Sequence, residues 1–265
     1  MPEETLRSAI AKLTGATRSQ LEDGVRDISR LMPALPDAEF RQAVEALCSL
    51  FYVDTYDHPE LEPLLDLAAK CLARQGVKVV PLLLEFMEGS DVKSHIHLGQ
   101  AIGMVGAAAI PALRRFIATA DDPYSRAFAL FAIGKVRAPE VAEALPEVIG
   151  SLMHPDKEVR DSAARAVGKI VEVVPPEQLG DRRRTEIYDA LFRALDDKHA
   201  AVRAKAVRSL GKLALAGYLA GEQEEKLKTA LRRMLGEGDA YDWDRAYIVR
   251  REAEEALWRS NAPRG

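Results

Sequence analysis

One helical pattern recurs along this 265-residue chain, and that recurrence limits the possible folds more than any other feature. The segments Tyr124–Val136, Glu158–Ile170, Ala201–Leu213 and Ile248–Trp258 each carry an arginine at the third position, followed by alanines and aliphatic residues at helical spacing. Three of them continue into a glycine–lysine pair, at Gly134, Gly168 and Gly211. The arginines, Arg126, Arg160, Arg203 and Arg250, are 34, 43 and 47 residues apart. Ser94–Val105 is a weaker copy, with His95 in the arginine position. Repeats of this period are stacked supersecondary units that bury their apolar faces against one another.

Another amphipathic stretch precedes each copy. Val79–Leu84, Ala109–Leu113 and Ala144–Val148 hold Pro81, Pro111 and Pro146, and Ile187–Leu191 and Leu227–Leu231 fill the same place without proline. Between the members of each pair lie the turns Glu88–Asp91, Asp121–Pro123, His154–Asp156 and Asp196–Asp197, whose carboxylates suit helix N-termini. Upstream, helices are predicted over 4–13, 18–32, 38–53 and 59–75. Thr17 and Gln20 are spaced as a capping box, and Gly76 ends the fourth helix. No window alternates with period two for long enough to predict strands.

The proline-bearing first helix, the Asp turn and the Val-Arg-x-x-Ala second helix resemble the HEAT family, especially the short HEAT-like repeats first noticed in phycobilisome lyases. The resemblance implies an all-α fold, a right-handed α-α superhelix of about seven helix pairs. It runs over 1–265 as one solenoid, with degenerate capping repeats over 1–76 and five clearer repeats over 77–258. It also implies that Asp and Arg residues such as Asp156, Arg160, Asp197 and Arg203 form a bonding ladder between adjacent units, and that the second helices line a concave face.

Unrolling the helix around Val159 at 100° per residue leaves Ser162, Arg165 and Lys169 outside its apolar arc. The same register gives candidate groove residues on each second helix: His97, Gln100 and Met104; Phe128, Phe131 and Lys135; Arg165 and Lys169; Lys205, Arg208 and Lys212. Glu252, Glu255 and Arg259 close the series. Two exposed phenylalanines beside a run of basic residues suit an acidic or apolar segment of another protein.

Composition excludes several other classes. Net charge is −4, which argues against a dedicated nucleic-acid binder. The two cysteines, Cys48 and Cys71, cannot build a disulfide framework and read as buried thiols of a reducing compartment. No uncharged run is expected to approach the ~18 residues of a membrane span, and the charged first residues lack the apolar core of a secretory signal, so a cytoplasmic location is expected.

No catalytic motif or cofactor loop is found. His95 and His97 lie about 200° apart on a helix and cannot share a metal ion. No histidine is followed by the glutamate that the HEAT-like iron hydroxylases use. The acidic loop Asp239–Asp244 suits helix capping better than a cation site. The expected function is a non-catalytic protein-binding scaffold without metal or cofactor. A nucleic-acid binder using the basic strip and a chromophore-lyase-like subunit are the alternatives, and the oligomeric state stays open.

Overall fold

The computed structural model describes residues 5–15, 17–89, 92–237 and 243–260, and among them every regular element is helical. They fall into two compact units, 1–116 and 117–265, divided within one helix.

In the first unit α1 (Leu6–Lys12), α3 (Asp37–Cys48) and α5 (Val80–Gly89) alternate with α2 (Arg18–Leu31), α4 (Glu62–Ala73) and α6 (Val92–Val105). Helices α2, α4 and α6 pack in a row, and α1, α3 and α5 each lie against the helix that follows them. The helix α7 (Ile110–Thr119) contains the division. In the second unit the row is α8 (Pro123–Ile133), α10 (Lys157–Ile170), α12 (Ala200–Leu215) and α14 (Tyr247–Ser260). Here α9 (Leu145–Ser151), α11 (Asp181–Arg193) and α13 (Gly221–Leu235) back α10, α12 and α14.

Local chemistry explains where these helices begin. Pro81, Pro111 and Pro146 are each the second residue of their helix, where the backbone N–H has no intrahelical acceptor to lose. Thr17 and Gln20 make the reciprocal capping box. The carboxylates of Asp122 and Asp156 accept the amides of Ser125 and Glu158, each at 2.7 Å, opening α8 and α10. Gly76 and Gly106 turn the chain at φ +64° and +81°, values an L-residue adopts only under strain.

One expectation is corrected here. Residues 94–113 contain no Asp, Glu, Lys or Arg, and the helical stretch Lys93–Thr119 has the length and mean hydropathy, 1.5, of a membrane span. Gly106 breaks that stretch into α6 and α7, and Leu98, Ile102, Ile110 and Leu113 are buried core. Its apolarity therefore has a packing cause. Burying a side chain of this size contributes about 1.5–3 kcal/mol.

Within the second unit, charged rungs tie α10 to the turn before α12 and α12 to the turn before α14. The Arg160 guanidinium donates to both carboxylate oxygens of Asp197, at 2.6 and 3.1 Å, and Arg203 does the same to Asp244, at 2.6 and 2.9 Å. Each arginine also donates to the carbonyl six residues before it: Arg160 to His154, Arg203 to Asp197, and Arg250 to Asp244. Burial works to raise the Asp197 carboxyl, but Arg160 and the His199 amide outweigh it and hold the pKa below the ordinary value. Asp156 belongs to the cap of its own helix rather than to a rung. Asp244 caps the turn into α14 by accepting the Ala246 amide, while 239–242 of the acidic loop lie outside the described residues.

Candidate docking face of the second unit

The row of helices in the second unit stays close because glycines face it. A Cβ on Gly211 would lie 3.0 Å from that of Ala256, and one on Gly168 would run into the Ser209 hydroxyl. That hydroxyl donates to the carbonyl of Ala164 at 2.7 Å, fastening α12 to α10. Side chains on the remaining arc of each helix are thereby set side by side.

Phe128 and Phe131 are half-buried rather than exposed, a correction to the sequence reading. Each ring meets the edge of the other, with centroids 6.3 Å apart and planes at 75°. The Lys135 ammonium sits 4.9 Å above the Phe131 ring. Between α8 and α10 lies a cleft of ≈ 90 Å³ lined by Phe131, Gly134, Lys135, Arg137, Ser162, Arg165 and Lys169, among others. A Cβ on Gly134 would lie 3.4 Å from the stem of Lys169, an ordinary van der Waals contact. Burial lowers the pKa of Lys135, and Arg165, Lys169 and Arg137 lower it further by repulsion.

The rest of the basic strip is spent internally. Arg208 makes a forked pair with Glu252, through Nε at 2.8 Å and through Nη2, and Glu252 is buried at 3% exposure. Glu172, just beyond α10, takes Lys169 at 2.9 Å and Lys212 at 2.7 Å, with Arg137 at 3.7 Å. The expectation of a continuous wet basic row is corrected by these pairs. Among the described residues Arg165 and Lys205 have no ion pair, although Lys205, Arg165 and Arg208 all lie near the half-buried Asp161. Burial raises the Asp161 carboxyl, and those cations offset part of the rise.

In the first unit, His97 is half-buried and stacks on Phe51, with centroids 5.2 Å apart and planes at 22°. Burial lowers its pKa, against the pull of Gln100, Asp66 and Glu62. Met104 is exposed and Gln100 half-buried. Arg259 belongs to the register, but its side chain lies outside the described residues.

The sequence reading missed Glu172, Asp161 and Phe51. Only the three-residue spacing of Lys169 and Glu172 was a visible signal. Cys48 and Cys71 are both free and buried, and burial, with Glu45 nearby, pushes the Cys48 thiol up to about 12, so it stays protonated. No cluster of three His, Cys, Asp or Glu suited to a metal ion is found among the described residues.

Residues 158–213 match the model described as "HEAT-like repeat", and residues 110–178 match "HEAT repeats". The eIF-2-alpha kinase activator GCN1 of Dictyostelium discoideum is 27% identical over 172 residues. That match takes in 55% of this chain, which spans only 6% of that protein's length. A chain in the structure of the complex of CpcE and CpcF of phycocyanin lyase, from a Nostoc species, superposes with a TM-score of 0.56 at 19% identity. The superposition covers 68% of this chain and 99% of that one. An engineered protein of 19% identity gives a TM-score of 0.48 over 97% of each chain.

Proposed function

We propose, from the premise that this is a HEAT-like repeat protein, that it is a non-catalytic scaffold holding a segment of another protein against the helix row of its second unit. The observation that carries the reading is the Phe128–Phe131 pair, half-exposed beside cations that the fold has not fully neutralised. Aromatic anchors flanked by a charged rim are the usual content of a binding hot spot. The groove residues proposed for contact are Phe128, Phe131, Lys135, Arg165, Lys169 and Lys205. Arg208 and Lys212 act through the carboxylates they hold in place. The buried thiols suit a reducing, cytoplasmic setting.

A photo-crosslinking phenylalanine analogue in place of Phe131 tests this in host-cell extract, with the analogue at Met153, exposed after α9, as control. A polypeptide adduct is expected from position 131 and none from 153. Failure to form an adduct from 131, 165 or 205 overturns the reading.

The lyase-subunit alternative draws only on a likeness of fold, and bilin transfer by the purified chain tests it. The nucleic-acid alternative loses support because Glu172 and Glu252 take up three of the strip's six basic residues.

A further inference from the structure

The strip that looks uniformly basic in sequence is uneven in space. Over α12 most of the charges are balanced, since Arg208 and Lys212 each have a carboxylate within 2.8 Å, while Lys205 has no ion pair among the described residues. Around the cleft between α8 and α10 they are not. Lys135, Arg137, Arg165 and Lys169 converge there, and the carboxylate paired with two of them, Arg137 and Lys169, is Glu172, which is shared with Lys212 as well. Arg165 is exposed without an ion pair among the described residues, and Lys135 rests on a ring face instead of a carboxylate.

Repulsion inside such a cluster is relieved when an anion enters it, so part of the binding free energy is already stored in the free protein. The apolar floor is equally local: Leu130 and Ala166 are buried beneath, and the Phe131 ring stands at the rim. A carboxylate and an adjoining apolar side chain can therefore be satisfied within one small cleft.

We infer that the α8–α10 cleft is an acidic-peptide site, which seats an aspartate or glutamate of a partner segment on Arg165 and Lys135 and the neighbouring aromatic or branched aliphatic side chain on Phe131. This rests on the scaffold reading and narrows it, because it assigns the partner's acidic residue to one cleft rather than to the whole face.

The test is to pan a random-sequence peptide display library on the full chain and to titrate recovered peptides by fluorescence anisotropy. Recovered sequences should place Asp or Glu next to an aromatic or aliphatic residue, and their Kd should rise with salt. Lys135→Gln with Arg165→Gln should weaken them about tenfold or more, a loss of about 1.4 kcal/mol or more. Arg182→Gln, on α11, should change Kd by less than about twofold. The exposed sites of substitution leave the core intact, and circular dichroism of each variant verifies folding. Peptides that are lost with Phe131→Ala, yet show no acidic bias and ignore the double substitution, overturn the acidic site and leave the scaffold standing. Recovery of no peptide, or only of peptides indifferent to Phe131→Ala, overturns both.

Discussion

Between α10 and α12 one absent methyl group sets the distance. Gly168 faces Ser209, whose hydroxyl reaches the Ala164 carbonyl, and there is no room for a Cβ without displacing that bond. Gly168→Ala should therefore cost about 1–3 kcal/mol in urea unfolding, through overpacking at a contact that packs too tightly to yield. Ser209→Ala removes the atom in the way, so its own cost should be smaller in the Gly168→Ala background than in the native chain. Additive losses, or an unchanged midpoint for Gly168→Ala, would show that the helices do not meet there. The glycine itself was legible in the sequence as a recurrent small position. Its neighbour was not, because Ser209 lies 41 residues on and only the stacking register brings the two together.

Helices in the second unit were legible because apolar spacing, proline placement and Asp turns all specify them locally. The rungs between them depend on which residue the next turn presents. Counting back six residues from the repeat arginine gives Asp197 before Arg203 and Asp244 before Arg250, and these are the carboxylates taken by Arg160 and Arg203. The same count before Arg160 gives His154, which stands in the slot facing Arg126. His154 imitates the aspartates in one respect: its Nδ1 accepts the amide of Asp156 at 3.1 Å, as Asp197 accepts that of His199. Accepting that bond requires a neutral Nδ1. Burial, followed by the Arg126 charge, lowers the imidazole pKa from 6.5, Asp156 opposes that shift, and Arg160 adds to it.

With the folded pKa below the unfolded one, the unfolded chain takes up the proton first. The contribution of this rung is thus fully present above about pH 6.5 and is lost as pH falls through the folded value. His154→Asp should raise the melting temperature by giving Arg126 a carboxylate. Its advantage over the native chain should widen between about pH 7.5 and 5, where the histidine charges and the aspartate remains ionised. Thermal melts across that range measure the difference, and a gap that stays constant or narrows removes His154 from the ladder.

For the molecule as a whole, a net charge of −4 coexists with a cationic cleft, so long-range attraction and local attraction select different ligands. A duplex is bound mainly by the number of phosphates it can neutralise, and the affinity falls with salt at a slope of about −0.9 per phosphate. The helix row offers Lys135, Arg165 and Lys205 outside ion pairs, while Lys169, Arg208 and Lys212 are held by Glu172 and Glu252. Three contacts give a slope of only about −2.7, too little to hold a duplex at about 150 mM salt against the negative charge of the remaining surface. The basic residues themselves were legible in sequence, but Glu252, read as one more groove position, is instead the buried partner that cancels Arg208. Titration of a duplex of about 20 base pairs over a salt series should show weak binding with that shallow slope. A slope steeper than about −5 would require the paired cations to release their carboxylates for phosphate, and the row would then be a nucleic-acid surface.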